Sequence, residues 1–310
     1  MTAEPMCLTS LADGDLEKKI DRARKQLRSC VLCPRQCRVN RLEGETGVCR
    51  TGERAWISSF NPHFGEEAPL VGRHGSGTIF FTHCNLMCNF CQNYDISHEG
   101  HGQKVTDDEL AAVMLSLQKQ GCHNINFVTP SHVVPQILSA VAMAARNGLT
   151  LPLVYNSGGY DSVSTLKLLE GVIDIYMPDF KFWDAALSVK TCDAEDYPEV
   201  VQAALLEMHR QVGDLTMDPE GVAVKGLLIR HLVLPKGLAD TRKVMRFIAK
   251  RLSPNTYVNI MTQYRPCGKA GDIPELAVRP SPDDFESAVR AAEEEGILRL
   301  DKPRRMFVFW

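Results

Sequence analysis

Gly77-Thr78-Ile79-Phe80-Phe81-Thr82-His83-Cys84-Asn85-Leu86-Met87-Cys88-Asn89-Phe90-Cys91 begins as a β-branched and aromatic run and ends in three cysteines spaced C-x3-C-x2-C. The run over 78–82 reads as a short strand. The cysteines then occupy a tight loop at its C-terminal end, so one loop offers three thiolates. A closed structural zinc site or an ordinary four-iron cluster takes four protein ligands. A four-iron cluster held by three leaves one iron open to an outside ligand that can be chemically activated.

Outward from this loop the sequence alternates strand-like and helix-like segments. Thr106 with Glu109 forms a capping box, and Leu110, Val113, Met114 and Leu117 give the following helix one apolar face that Gly121 stops. Strands are predicted over 124–128, 151–155, 173–177, 227–234 and 256–261. Helices are predicted over 133–147, 162–169, 198–212, 241–252 and 282–295. Six strand–helix units imply a parallel sheet covered by helices, with active residues at the C-terminal strand ends. Six is too few for a closed eight-strand barrel, so the expected fold is α/β, a partial, open (β/α)6 barrel over 77–310. Residues 1–76, with a basic helix over 16–27 and a cysteine-rich stretch, read as an N-terminal appendage packed on it.

Composition agrees with a soluble enzyme. With 35 basic and 38 acidic residues interspersed in 310, the net charge is −3, and nothing resembles a nucleic-acid or membrane surface. No apolar run approaches the ~20 residues of a membrane span, and the first residues lack the pattern of a signal peptide. Cysteines grouped in short motifs then read as metal ligands in a reducing cytoplasm.

Four of the eleven cysteines form a second group: Cys30, Cys33, Cys37 and Cys49, in Cys-Val-Leu-Cys-Pro-Arg-Gln-Cys and after Gly44-Glu-Thr-Gly47. Four thiolates with one C-x2-C pair suit tetrahedral zinc, which would hold the segment together. They suit equally a complete iron–sulfur cluster, which would relay electrons to the first. Isolated Cys7, Cys122, Cys192 and Cys267 read as core or surface residues. Polar groups recur at the predicted strand ends: Val128-Thr-Pro-Ser-His132, Tyr155-Asn-Ser-Gly-Gly-Tyr160, Tyr176-Met-Pro-Asp-Phe-Lys181 and Met261-Thr-Gln-Tyr-Arg265. In the apolar strand Leu228-Ile-Arg-His-Leu-Val-Leu-Pro235, Arg230 and His231 fall on opposite faces. Gln263, Tyr264 and Arg265 are candidates for the substrate mouth.

The C-x3-C-x2-C loop, with Phe90 before its last cysteine, resembles the signature of the radical S-adenosylmethionine (SAM) enzymes. Together with Cys-Pro-Arg-x-Cys, Val-Thr-Pro-Ser-His and Arg-His-Leu-Val-Leu-Pro, it resembles the uncharacterised branch related to pyruvate formate-lyase activating enzymes, across nearly the whole chain. The resemblance implies a [4Fe–4S] cluster on Cys84, Cys88 and Cys91, whose open iron chelates SAM and whose electron cleaves it to methionine and a 5′-deoxyadenosyl radical. It also implies SAM contacts from Phe90, Thr129, Ser131 and His132. Asn156, Ser157, the Met177 carbonyl and Asp179 would form a site for a monovalent cation beside the SAM carboxylate, with Lys181 as the alternative counter-charge. Implied partners are a flavodoxin or ferredoxin as electron donor and a glycyl radical enzyme as substrate. Modification of another peptide or a small metabolite is the alternative within this class, and a non-catalytic iron–sulfur or zinc protein the alternative outside it.

Overall fold

The computed structural model describes residues 4–301. In chain order the strands are β1 (Ala55–His63), β2 (Ser76–Phe81), β3 (Gln103–Val105), β4 (Ile125–Val128), β5 (Leu153–Ser157), β6 (Ile175–Pro178), β7 (Thr216–Met217), β8 (Ala223–Leu232), β9 (Tyr257–Met261) and β10 (Arg299–Leu300). They make one sheet in the order β10-β9-β8-β6-β5-β4-β2-β1-β3, with β7 paired to β8. From β2 to β10 all neighbours are parallel, and β1 and β3 extend the β2 edge antiparallel. The six expected strands are β2, β4, β5, β6, β8 and β9, and the barrel stays open.

Helices Asp107–Lys119, Val134–Arg146, Val163–Leu169, Tyr197–Val212, Thr241–Phe247 and Pro282–Glu295 alternate with these strands. The predicted capping box forms: the Glu109 N–H donates to Thr106 Oγ1 (3.2 Å), and the Thr106 N–H to Glu109 Oε2 (2.7 Å). β5 and β6 begin two residues later than predicted. Pro152 has no N–H to give a ladder, and the Asp174 carboxylate instead accepts from the backbone N–H groups of Leu153 (2.8 Å) and Met6 (2.9 Å).

Strand alternation divides the core. Tyr155, Tyr176, Leu227 and Ile229 face the helices. Val154, Ile175, Met177 and Leu228 face the opposite, inner side, where Leu70 packs against them. Leu70 belongs to the short helix Ala68–Val71, whose Leu70 carbonyl accepts from Asn124 Nδ2 (2.9 Å). The segment joining β1 to β2 therefore lines the inside of the barrel. The N-terminal residues lie against its outside: helices Met6–Ala12 and Asp15–Lys25 pack on Val134–Arg146, burying Cys7, Leu16 and Ala23 in the main core.

Candidate active site

The loop after β2 is tightly shaped. His83 and Met87, each just before a cysteine, have left-handed backbone (φ 69° and 56°), a conformation that non-glycine residues hold only where surroundings enforce it. The Leu86 N–H points at Cys84 Sγ (3.3 Å). Burial pushes the Cys84 thiol up to about 12 and also raises Cys91. Cys88 is held well above the usual thiol value, first by its contact with Cys192 and then by burial. Thiolates form in such a place when a metal draws the protons off. Three sheltered cysteines with a backbone donor aimed at sulfur fit a cluster bound through three ligands.

Asp179 and Lys181, at the end of β6, face this loop, and both charges are felt at Cys88. Lys181 Nζ donates to Asp179 Oδ2 (2.6 Å) and Arg230 Nε to Asp179 Oδ1 (2.7 Å). Burial alone would raise the Asp179 carboxyl, but Arg230 and Lys181 outweigh it and hold it below the usual carboxylate range. Arg230 also donates to Asn156 Oδ1 (2.6 Å). A guanidinium therefore bridges two of the three side chains expected to hold a monovalent cation. Ser157 is not part of this group. It lies one residue from Asn156 and so on the helix-facing side, where its hydroxyl donates to Asp161 Oδ2 (2.6 Å) beside the Tyr155 hydroxyl on Oδ1 (2.9 Å). Ser131 hydrogen-bonds to the same buried carboxylate.

The other predicted residues are dispersed. Thr129 takes a left-handed turn (φ 61°), its N–H bonded to the Asn156 carbonyl (2.8 Å). His132 lies among the N-terminal cysteines. Phe90 is buried against Phe182 and Tyr264, at ring-centroid distances of 6.4 and 6.2 Å. Tyr264 is a core residue and not part of a mouth, with its hydroxyl on the Leu276 carbonyl (2.7 Å). Gln263 stays at the loop, its carbonyl accepting from Gln92 Nε2 (3.0 Å). Arg230 and His231 do take opposite faces: His231 is buried between the Phe180 carbonyl (2.6 Å) and Thr241 Oγ1 (2.9 Å).

Four residues around the site escaped the sequence reading. Glu66 lies 3.7 Å from Arg230, and Glu67 accepts from Asn259 Nδ2 (2.8 Å). Burial raises Glu66 to about 7 although Arg230 opposes it. Asn126, in the middle of β4, is fully buried and neither atom of its amide has a partner. Cys192, closing the helix Ala185–Cys192, places its sulfur 3.3 Å from Cys88 Sγ. The adjacent Glu66-Glu67 pair in a glycine- and proline-punctuated stretch was the one signal available for the carboxylates.

Residues 78–213 match the family profile of the Radical SAM superfamily. Over 287 residues the chain is 34% identical to an uncharacterized protein of Methanocaldococcus jannaschii, covering 90% of this chain and 78% of that one. The chain belongs to the radical SAM superfamily. Among solved structures it is similar to a radical SAM methyltransferase from Sphaerobacter thermophilus (14% identity, TM-score 0.48, 72% of this chain and 64% of that one). It is also similar to methylornithine synthase (15% identity, TM-score 0.47, 93% and 72%). No helix among the described residues is long and apolar enough to cross a membrane.

Proposed function

We propose that this radical SAM protein binds a [4Fe–4S] cluster through Cys84, Cys88 and Cys91 and uses it to cleave SAM reductively. The observation that carries the reading is the three-cysteine loop at the end of β2 with the Asp179–Lys181 pair turned toward it. When bound, the cluster and SAM supply a 5′-deoxyadenosyl radical that removes a hydrogen atom from substrate. Lys181 then provides positive charge for the SAM carboxylate. Arg230 keeps Asp179 ionised and fixes its direction. The unpartnered amide of Asn126 and the Glu66–Glu67 pair give the inner face polar groups for SAM or substrate.

Anaerobically reconstituted protein with SAM and dithionite should yield 5′-deoxyadenosine, and Cys88→Ala should abolish it. Undiminished product from that variant would overturn the ligand assignment. The substrate we propose from the resemblance to the activating enzymes is a glycyl radical enzyme, with another peptide or a small metabolite as the alternative. Incubation with candidate glycyl radical enzymes and a flavodoxin or ferredoxin donor tests this, read as a glycine-centred radical by electron spin resonance. No such radical, with turnover on another peptide or metabolite, would overturn it.

A further inference from the structure

Cys30, Cys33, Cys37 and Cys49 line one cavity together with Arg35, Arg41 and His132. The chain is bent to bring them there. Gln36, Arg38 and Arg50, each next to a cysteine, have left-handed backbone (φ 41°, 56° and 51°). A Cβ at Gly47 would stand 2.5 Å from Cys37 Sγ, so only glycine fits this approach. The Val48 N–H points at the same sulfur (3.5 Å).

The cavity asks for an anion. Arg41 is 1% exposed. Its Nε donates to the Gly52 carbonyl (2.9 Å) and its Nη1 to the His132 carbonyl (2.8 Å), and Nη1 lies 3.8 Å from Cys30 Sγ. Its Nη2 is buried without a partner, and no carboxylate among the described residues pairs with it. A buried guanidinium in this position is costly unless negative charge faces it, and a metal held by four thiolates supplies that charge. His132 adds a second orphan: its Nε2–H donates to the Thr82 carbonyl (3.0 Å), and Nδ1 is buried and unpartnered. Four cysteines around a shared space are the donor set of a tetrahedral zinc or of a four-iron cluster, and the contacts that tie this cavity to the loop of Cys84, Cys88 and Cys91 favour the cluster.

Two side chains reach from this cavity to the loop of Cys84, Cys88 and Cys91. Arg35 donates to the carbonyls of Asn85 (Nε, 3.0 Å) and Leu86 (Nη2, 3.2 Å), and His132 holds the Thr82 carbonyl two residues before Cys84. We propose that the four N-terminal cysteines hold a second [4Fe–4S] cluster that hands the electron to the first. This rests on the reading of the Cys84–Cys91 loop given above. One electron enters from a low-potential flavodoxin- or ferredoxin-type protein and reduces the N-terminal cluster. That cluster is reoxidised as the Cys84–Cys91 cluster is reduced by one electron, and no atom is transferred.

Wild-type protein reconstituted with iron and sulfide should carry about eight of each per chain, against about four for a single cluster. A Cys84→Ala/Cys88→Ala/Cys91→Ala variant should keep about half, with an electron spin resonance signal after dithionite that ignores added SAM. Four irons with one zinc in the wild type, or an iron-free triple variant, would overturn the site. The relay is tested with reduced flavodoxin and SAM. Freeze-quenching of wild type should show the SAM-insensitive signal before the SAM-responsive one. A Cys33→Ser/Cys49→Ser variant should form the SAM-responsive signal at least tenfold more slowly. Simultaneous appearance in wild type, or an unchanged rate in the variant, would overturn the relay. If both clusters load yet no 5′-deoxyadenosine forms, the activity reading falls and the second site stands.

Discussion

Lys181 and Arg230 divide the positive charge around Asp179, and their roles separate on substitution. Arg230 bridges Asp179 and Asn156 and orders the strand ends, whereas Lys181, whose side chain donates to Asp179, faces the cysteine loop. Lys181→Ala should raise the SAM dissociation constant about tenfold, the loss of roughly 1.4 kcal/mol, measured by titration of the reconstituted protein. Because a guanidinium already occupies the Asn156 and Asp179 oxygens, exchanging potassium for sodium at constant ionic strength should leave that constant unchanged. A strong potassium requirement would show that Arg230 gives way to an ion. The Cys192 contact with Cys88 has a separate consequence. A thiol directed at a ligand sulfur stabilises negative charge there, so Cys192→Ala should lower the cluster midpoint potential by an amount on the order of tens of millivolts, read by redox titration.

At the scale of single elements, the segment between β1 and β2 carries a titration into the barrel. Glu66 is raised to about 7 from an ordinary 4.5, first by burial. Its folded pKa lies above its unfolded one, so the folded state binds the extra proton. Stability is therefore fully present below about pH 4.5 and is lost as pH rises toward 7. Glu66→Gln should stabilise the apo-protein at pH 8 by up to roughly 3 kcal/mol, a gain that disappears near pH 4. Thermal unfolding at the two pH values checks it, and an equal gain at both would refute the assignment. The six core strands and their helices were legible because alternation, the Thr106–Glu109 cap and the glycine stops are local signals. The cysteine loop was legible because its three thiols are adjacent in sequence. Which polar residues share a face was less so. A two-residue shift in the start of β5 leaves alternation intact but does not reveal which of Asn156 and Ser157 turns inward. Glu66, Arg230 and Asn156 meet only because β5, β6 and β8 lie side by side and the segment before β2 folds onto their inner face, which no local pattern encodes.

Across the whole molecule, the N-terminal segment acts as a clamp on the loop that follows β2 as well as a cover for the helices. Arg35, placed between Cys33 and Cys37, donates to four backbone carbonyls: Asn85, Leu86, Cys192 (2.7 Å) and Asp193. Its guanidinium also lies 5.3 Å from the centre of the Tyr160 ring. One side chain thereby ties together the N-terminal cysteines, the loop that follows β2 and the end of helix Ala185–Cys192. Carbonyls that lose such a donor either find water or pull the loop apart, and each neutral bond contributes about 0.5–1.5 kcal/mol net. Arg35→Met keeps the length and the apolar stem but removes every donor. It should lower apo-protein stability by roughly 2 kcal/mol. It should also speed loss of iron from Cys84, Cys88 and Cys91 several-fold under a ferrous chelator, followed through the SAM-responsive electron spin resonance signal. Lysine at this position can restore only one or two of the four bonds from a single nitrogen, so Arg35→Lys should fall between methionine and wild type. Iron loss at the wild-type rate in Arg35→Met would mean that the loop holds its shape without the N-terminal segment.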